Sequence, residues 1–196
     1  MGLETSKCYA KRTERGDFKR YLFGHGIDIG CGPDPLVVQE GSVRGFDKED
    51  GDALYMAAVE DESYDFVYSS HCLEHMPDVH VALRNWVRIL KQGGILYVVV
   101  PDYELYEKKS WPSRFNPDHK ASFSFSVREK RSSHFLMHEL SLWLDRELGI
   151  TTTEIGLEDD GFDPARPDED QTELRNGGAL CQIYFVGYKR KLLLKA

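Results

Sequence analysis

A doubly wound α/β fold is what this sequence predicts, and three stretches predict it. The apolar run Gly26-Ile27-Asp28-Ile29 stops abruptly at Gly30-Cys31-Gly32, the extended run Val43-Arg44-Gly45-Phe46 ends on Asp47, and an amphipathic stretch from Pro77 is followed by the nearly all-apolar Ile95–Val100. Strand, glycine loop, strand, helix and buried strand in that order are the parts of a parallel sheet built from crossover units. With 196 residues the chain is long enough for one well-buried core and short for two, so a single domain over 1–196 is expected.

Each element has a local reason. Residues 1–25 are polar and mixed in charge, with Tyr9, Phe18, Tyr21, Leu22 and Phe23 available to pack as a short helix over the sheet edge. Gly30 and Gly32 lack Cβ, so the turn after the first strand can take positive φ and let a ligand approach the backbone. Pro35–Gln39 has room for one or two helical turns before Gly41. Lys48–Glu62 reads as a connection holding Gly51-Asp52-Ala53, and Tyr64–Ser70 as a strand of apolar and aromatic residues ending in small hydroxyls. Val79, Ala82, Leu83, Trp86, Val87, Ile89 and Leu90 recur at three and four, which predicts a helix entered at Pro77 and stopping at Gly93-Gly94. The unbroken apolar character of Ile95–Val100 suits a central parallel strand covered on both faces.

Beyond Pro101 the pattern changes. Residues 102–126 show no periodicity and carry Trp111, Phe115, His119, Phe123 and Phe125, as expected of an inserted lid or substrate loop. Helical spacing returns over Ser132–Leu148 and closes at Gly149. Thr151–Leu157 reads as a strand, Glu158–Gly178 as an acidic solvated loop, Ala179–Tyr188 as the last strand, and Lys189–Leu194 as a solvated basic tail.

Composition narrows the function. A formal charge of −8 opposes a nucleic-acid partner, because binding to phosphates draws on clustered Lys and Arg. Cys8, Cys31, Cys72 and Cys181 form no C-x-x-C pair, so neither a metal site nor a disulfide framework is expected, and a reducing cytoplasm fits best. No apolar run nears the roughly 20 residues that span a bilayer, and no secretory signal is evident at the start. Met1-Gly2-Leu3-Glu4-Thr5-Ser6 fits the loose pattern for N-myristoylation, which a polar terminus often matches by chance.

Asp28-Ile29-Gly30-Cys31-Gly32, Asp47 seventeen residues after Gly30, Asp52-Ala53, Tyr64–Ser70, Leu73-Glu74-His75 and Leu90-Lys91-Gln92-Gly93-Gly94 together resemble the class I S-adenosylmethionine-dependent methyltransferases, in particular their small-molecule, type 11-like branch. The resemblance covers about residues 26–101. It implies a Rossmann-like, mostly parallel seven-stranded sheet with an antiparallel last strand, sandwiched between helical layers, and S-adenosylmethionine as cofactor. It further implies that Asp28 and the Gly30-Cys31-Gly32 loop hold the methionine end, Asp47 the ribose, and Asp52 with Ala53 the adenine. Ser70 and His71 would border the sulfonium methyl. Lys48 stands where the family often packs an apolar residue on adenine, and Asp34 replaces the third loop glycine, so cofactor affinity is what the departures put in question.

Methyl transfer to a hydroxyl needs a base near neutral pH, and histidine suits it. His119 on the aromatic loop is the first candidate and His75 the second, with His71 also near the rim and Tyr103 and Tyr106 available to shape the acceptor pocket. The acceptor expected is a hydroxylated metabolite or saccharide, and loop aromatics could pair two copies of the chain. A nicotinamide dehydrogenase is disfavoured because the third glycine of its fingerprint falls on Pro35. A cofactor-binding module without catalysis and an RNA or protein methyltransferase are the remaining alternatives.

Overall fold

The structure, a computed structural model, describes residues 3–191, so the first two residues of the myristoylation pattern and Leu192–Leu194 of the basic tail lie outside it. Strands β1 (Gly24–Ile29), β2 (Gly41–Phe46), β3 (Tyr64–Ser70), β4 (Leu90–Pro101), β7 (Ile150–Glu158) and β8 (Gln182–Lys189) form one sheet in the order β2-β1-β3-β4-β8-β7. The first four run parallel, whereas β8 is antiparallel to both β4 and β7. The sheet among the described residues has six strands where seven were expected. Between Phe46 and Tyr64 the chain forms turns strapped to a helix, α4 (Val79–Arg88), by bonds from Asn85 to the Leu54 carbonyl (3.0 Å), from Trp86 Nε1 to that of Ala53 (2.9 Å) and from Arg88 to that of Val59 (2.9 Å). That interval is seventeen residues, enough for one parallel crossover of a dozen or more but not for two with a strand between them, so an additional strand does not fit.

The crossover from β1 to β2 also lacks the helical turns expected over Pro35–Gln39. Pro33 and Pro35 remove amide donors. The Leu36 amide instead donates 2.7 Å to the Asp28 carboxylate, which pulls the chain extended across the sheet. The other face of the sheet is closed by the N-terminal helices α1 (Glu4–Lys7), α2 (Tyr9–Arg15) and α3 (Asp17–Arg20); Phe18 of α3 and Leu22 just after it join Tyr68, Tyr97 and Val186 in a core. Arg15 fastens them, donating to Asp17, to Glu158 of β7 and to the Tyr97 hydroxyl of β4. The opposite, larger core packs α4 and α5 (Met137–Leu148) on Ile27, Val67, Leu96, Val98 and Phe185, giving three layers.

Several boundaries move for identifiable reasons. Asp78 caps α4 by accepting from the His80 and Val81 amides (2.9 and 3.0 Å), but the helix ends at Arg88 and not at Gly93, because the amides of Ser63 and Tyr64 take the Ile89 carbonyl and draw Leu90 into β4. Gly93, at φ 82°, sits within the long strand β4. The helix expected over Ser132–Leu148 begins only at Met137; His134–Leu136 is a short strand, β6, paired in parallel with β5 (Ser122–Ser124), with Phe135 stacked 5.5 Å from Phe123. Glu158–Gly178 is not merely solvated. Glu158 ends β7, and buried Gln171 gathers the loop by donating to the carbonyls of Asp163 and Arg166. Nor is the start of the tail free, since Lys189 belongs to β8 and donates to the Leu90 carbonyl at 2.7 Å while Arg190 pairs with Asp145.

Asp28 is 1% exposed, and burial pushes its carboxyl up to about 7 even though the Leu36 amide and the Arg12 guanidinium oppose the shift. A folded value above the unfolded one means that the native state binds more protons between about pH 4 and 7, so this group's contribution to stability is full below that window and lost as pH rises through it. Asn mimics the protonated form and still accepts from Leu36. The difference in thermal midpoint between Asp28→Asn and the unmodified protein should therefore shift in favour of the variant from pH 4 to 8; two melting curves that stay parallel over that range contradict the assignment.

Candidate active site

The carboxyl ends of β1, β2, β3 and β4 form one rim, as expected for a ligand site in a parallel sheet. Gly30 and Gly32 hold φ of 77° and 52° there. A Cβ on Gly30 would lie 2.5 Å from Cys72 Sγ, so that position is closed by packing; one on Gly32 would meet only Asp47, at 3.8 Å, so the backbone there is open to a ligand. The Gly30 amide bonds the Phe46 carbonyl (2.8 Å) and the Gly32 amide donates 2.7 Å to Asp47 Oδ2, so the glycine loop is held against the end of β2. Asp47 Oδ1 takes the Lys48 amide, and Lys48 itself is exposed. Asp52 begins the following turn, accepting from the Leu54 amide at 2.8 Å, and the Ala53 carbonyl is fixed by Trp86.

Asp28 lies beneath this loop and not on its open side. Its role in the structure is to shape the segment from Gly30 to Leu36. Cys31 is half-buried, its thiol pushed up by burial and then by Asp28 and Asp47. At the end of β3, Ser69 donates to the Ile29 carbonyl, while Ser70 Oγ is buried with no partner. His71 sits at φ 54° with Nε2 2.8 Å from the Gln182 side-chain oxygen. Arg12, unassigned by sequence reasoning, lies over the Tyr68 ring at 5.1 Å with Nη2 buried and unpartnered, and Tyr68 is the register partner of Asp28.

A second group of residues stands next to this rim. A 3₁₀ turn, Leu73–His75, follows β3, and its Glu74 carbonyl accepts from the Lys120 and Ala121 amides (2.8 and 3.0 Å), which binds the aromatic loop to it. His119 is thereby buried with Nδ1 2.7 Å from Glu107 Oε1, its ring edge-on to His75 at 4.9 Å and 5.5 Å from Tyr106. Tyr106 is pushed far above the ordinary phenol range, first by burial and then by Asp170 and Glu107, so it serves as a neutral hydroxyl. Tyr103, expected to line the same pocket, is buried elsewhere and donates to the Lys109 carbonyl. Asp102 folds the loop back by accepting from the amides of Glu104, Leu105 and Phe125.

The structure thus brings Gly30, Gly32, Asp47, Lys48, Asp52 and Ala53 to one side of the rim, and Ser70, His71, His75 and His119 to the other. Arg12, Glu107 and Gln182 were missed because each acts on a partner distant in sequence, and Glu74 was named only within Leu73-Glu74-His75.

The residues present suit the donors and acceptors of S-adenosylmethionine: the open backbone at Gly32 could meet its methionine end, and the Asp47 carboxylate could accept from a ribose diol.

Residues 25–98 match the family described as methyltransferase domain. None of the curated proteins matches the chain in sequence. Among solved structures, a chain from the complex between the Haloferax volcanii Trm112 methyltransferase activator and a methyltransferase is similar at 17% identity, with a TM-score of 0.57 and 95% of this chain and 93% of that one covered. An S-adenosylmethionine-dependent methyltransferase from Archaeoglobus fulgidus is similar at 16% identity (TM-score 0.53, 95% and 93% covered), and another from Thermotoga maritima at 21% (TM-score 0.52, 96% and 87% covered). Residues 25–98 thus match a methyltransferase domain, and the fold as a whole is the one seen in these S-adenosylmethionine-dependent methyltransferases.

Proposed function

We propose that this enzyme methylates an oxygen of a hydroxylated small molecule, a metabolite or saccharide, within a single domain whose aromatic loop, residues 102–126, walls the acceptor. The observation that carries this reading is the buried Glu107–His119 pair beside His75, next to the cofactor rim. When bound, S-adenosylmethionine supplies a methyl group already activated on a sulfonium, so the protein's work is to position, to exclude water and to activate the acceptor.

The loop from Gly30 to Gly32, shaped from below by Asp28, offers backbone to the methionine end, and Arg12 supplies a guanidinium for its carboxylate. Asp47 takes the ribose hydroxyls, and Asp52 with Ala53 takes the adenine edge. Ser70 and His71 border the methyl. His119, its Nδ1 held by Glu107, and His75 face the acceptor and activate its hydroxyl.

The charge of −8 speaks against an RNA acceptor. Among the described residues no helix is long and apolar enough to cross a membrane, and all four cysteines are free, which supports a reducing, cytoplasmic setting. Phe125 is the exposed aromatic of the loop through which two copies would pair.

Purified protein incubated with methyl-labelled S-adenosylmethionine and a panel of hydroxylated acceptors should transfer label. His119→Asn should lower kcat by about 100-fold, in the range expected for loss of acid–base help, while S-adenosylhomocysteine binds as before. Label appearing only on RNA or protein, or a variant as fast as the unmodified enzyme, overturns the reading; cofactor binding with no acceptor labelled favours the non-catalytic module.

A further inference from the structure

The geometry points to a metal site: we propose that Glu74, His75 and His119 together bind one divalent first-row transition cation, of the zinc, cobalt or iron(II) class, at the acceptor end of the active site. One ligand atom from each of the three lies within 4.8 Å of the other two. A cation held at about 2.0–2.2 Å by each donor keeps donors about 3–4 Å apart, so modest side-chain rotations close the set. The cysteine spacing that argued against metal is irrelevant here, since no cysteine takes part.

Glu74 carries the case furthest. It is 1% exposed, and neither carboxylate oxygen has a hydrogen-bond partner. Burying a carboxylate without partners is costly, and such groups are normally paired or bound to metal. Two imidazoles stand at ion-pair distance from it, His71 Nδ1 at 3.6 Å and His75 Nε2 at 4.0 Å, both beyond hydrogen-bond reach.

The two imidazoles are already oriented as metal-ligating histidines are. His119 Nδ1 is taken by Glu107 at 2.7 Å, and His75 Nδ1 faces the Asp118 carbonyl at 3.3 Å and its carboxylate at 3.4 Å. In each ring Nε2 remains as the free donor, and a carboxylate or carbonyl on the far nitrogen fixes tautomer and direction. His71 is tied to Gln182 and stays outside the set. The amides of Lys120 and Ala121 on the Glu74 carbonyl hold the two ligand-bearing segments together without the ion.

Two imidazoles and one carboxylate select transition cations over magnesium or calcium, which prefer all-oxygen sets. Three protein ligands leave a position open for the acceptor's oxygen, and a hydroxyl held there ionises nearer neutral pH, releasing its proton to solvent. With the cation bound, His75 and His119 activate the acceptor hydroxyl through it. This consequence rests on the methyltransferase reading, whereas the binding itself does not.

The test is calorimetric titration of Zn2+ into chelator-stripped full-length protein, with Co2+ as optical probe and S-adenosylhomocysteine titrated in parallel. One cation per chain is expected, with a cobalt spectrum lacking thiolate charge transfer, and binding at least about tenfold weaker in Glu74→Gln and His119→Asn. Glu107→Gln, outside the ligand set, should weaken Zn2+ by about tenfold through His119, and circular dichroism reports whether each variant is folded. No Zn2+ bound by the unmodified protein, equal affinity in folded variants, or a thiolate cobalt spectrum overturns the proposal. S-adenosylhomocysteine binding without Zn2+ binding overturns this site alone, and the converse overturns the methyltransferase reading alone.

Discussion

One hydrogen bond, from the Gly32 amide to the Asp47 carboxylate at 2.7 Å, holds the cofactor rim in its shape. It joins the loop that ends β1 to the residue that ends β2, strands already paired in register from Gly24 with Gly41 to Ile29 with Phe46. The acid that would meet a ribose therefore also fixes the glycine backbone that would meet the methionine end. Beneath it, Asp28 does the same for the next turn by holding the Leu36 amide. Two carboxylates thus replace the helix that this crossover lacks.

The rest of the fold serves that rim by closing its surroundings. On one face the N-terminal helices are pinned through Arg15 to β4 and β7, so a segment outside the sheet's crossovers covers the strands. At the rim's other side, the aromatic loop is bound to the turn after β3 through the Glu74 carbonyl, which brings His119 beside His75. Backbone bonds, not side-chain packing alone, set the distance between the cofactor half and the acceptor half.

Much of this was legible in the residues because it is local. The glycine loop, Asp47 at a strand end, the amphipathic run after Pro77 and the bounds of β3 each announce themselves within a few positions. What stayed hidden is non-local. Phe135 fits the helical spacing that follows Ser132, yet it is used in a three-residue parallel strand with Phe123. A seventh strand was expected from resemblance, and the short interval after Asp47 had no length for it. Glu107 lies in an aperiodic loop, and its meaning appears only when the loop folds back on Asp102 and sets it against His119. Arg12 looked like a surface charge in a polar terminus, and the fold buries it over Tyr68.

The central claim is that this rim binds the cofactor through Asp47 and the glycine loop. Calorimetry with S-adenosylhomocysteine on the unmodified protein and on Asp47→Ala tests it most directly. The account predicts one ligand per chain and affinity lower by at least about tenfold in the variant, equivalent to about 1.4 kcal/mol. No binding to the unmodified protein, or equal affinity in both, would contradict it.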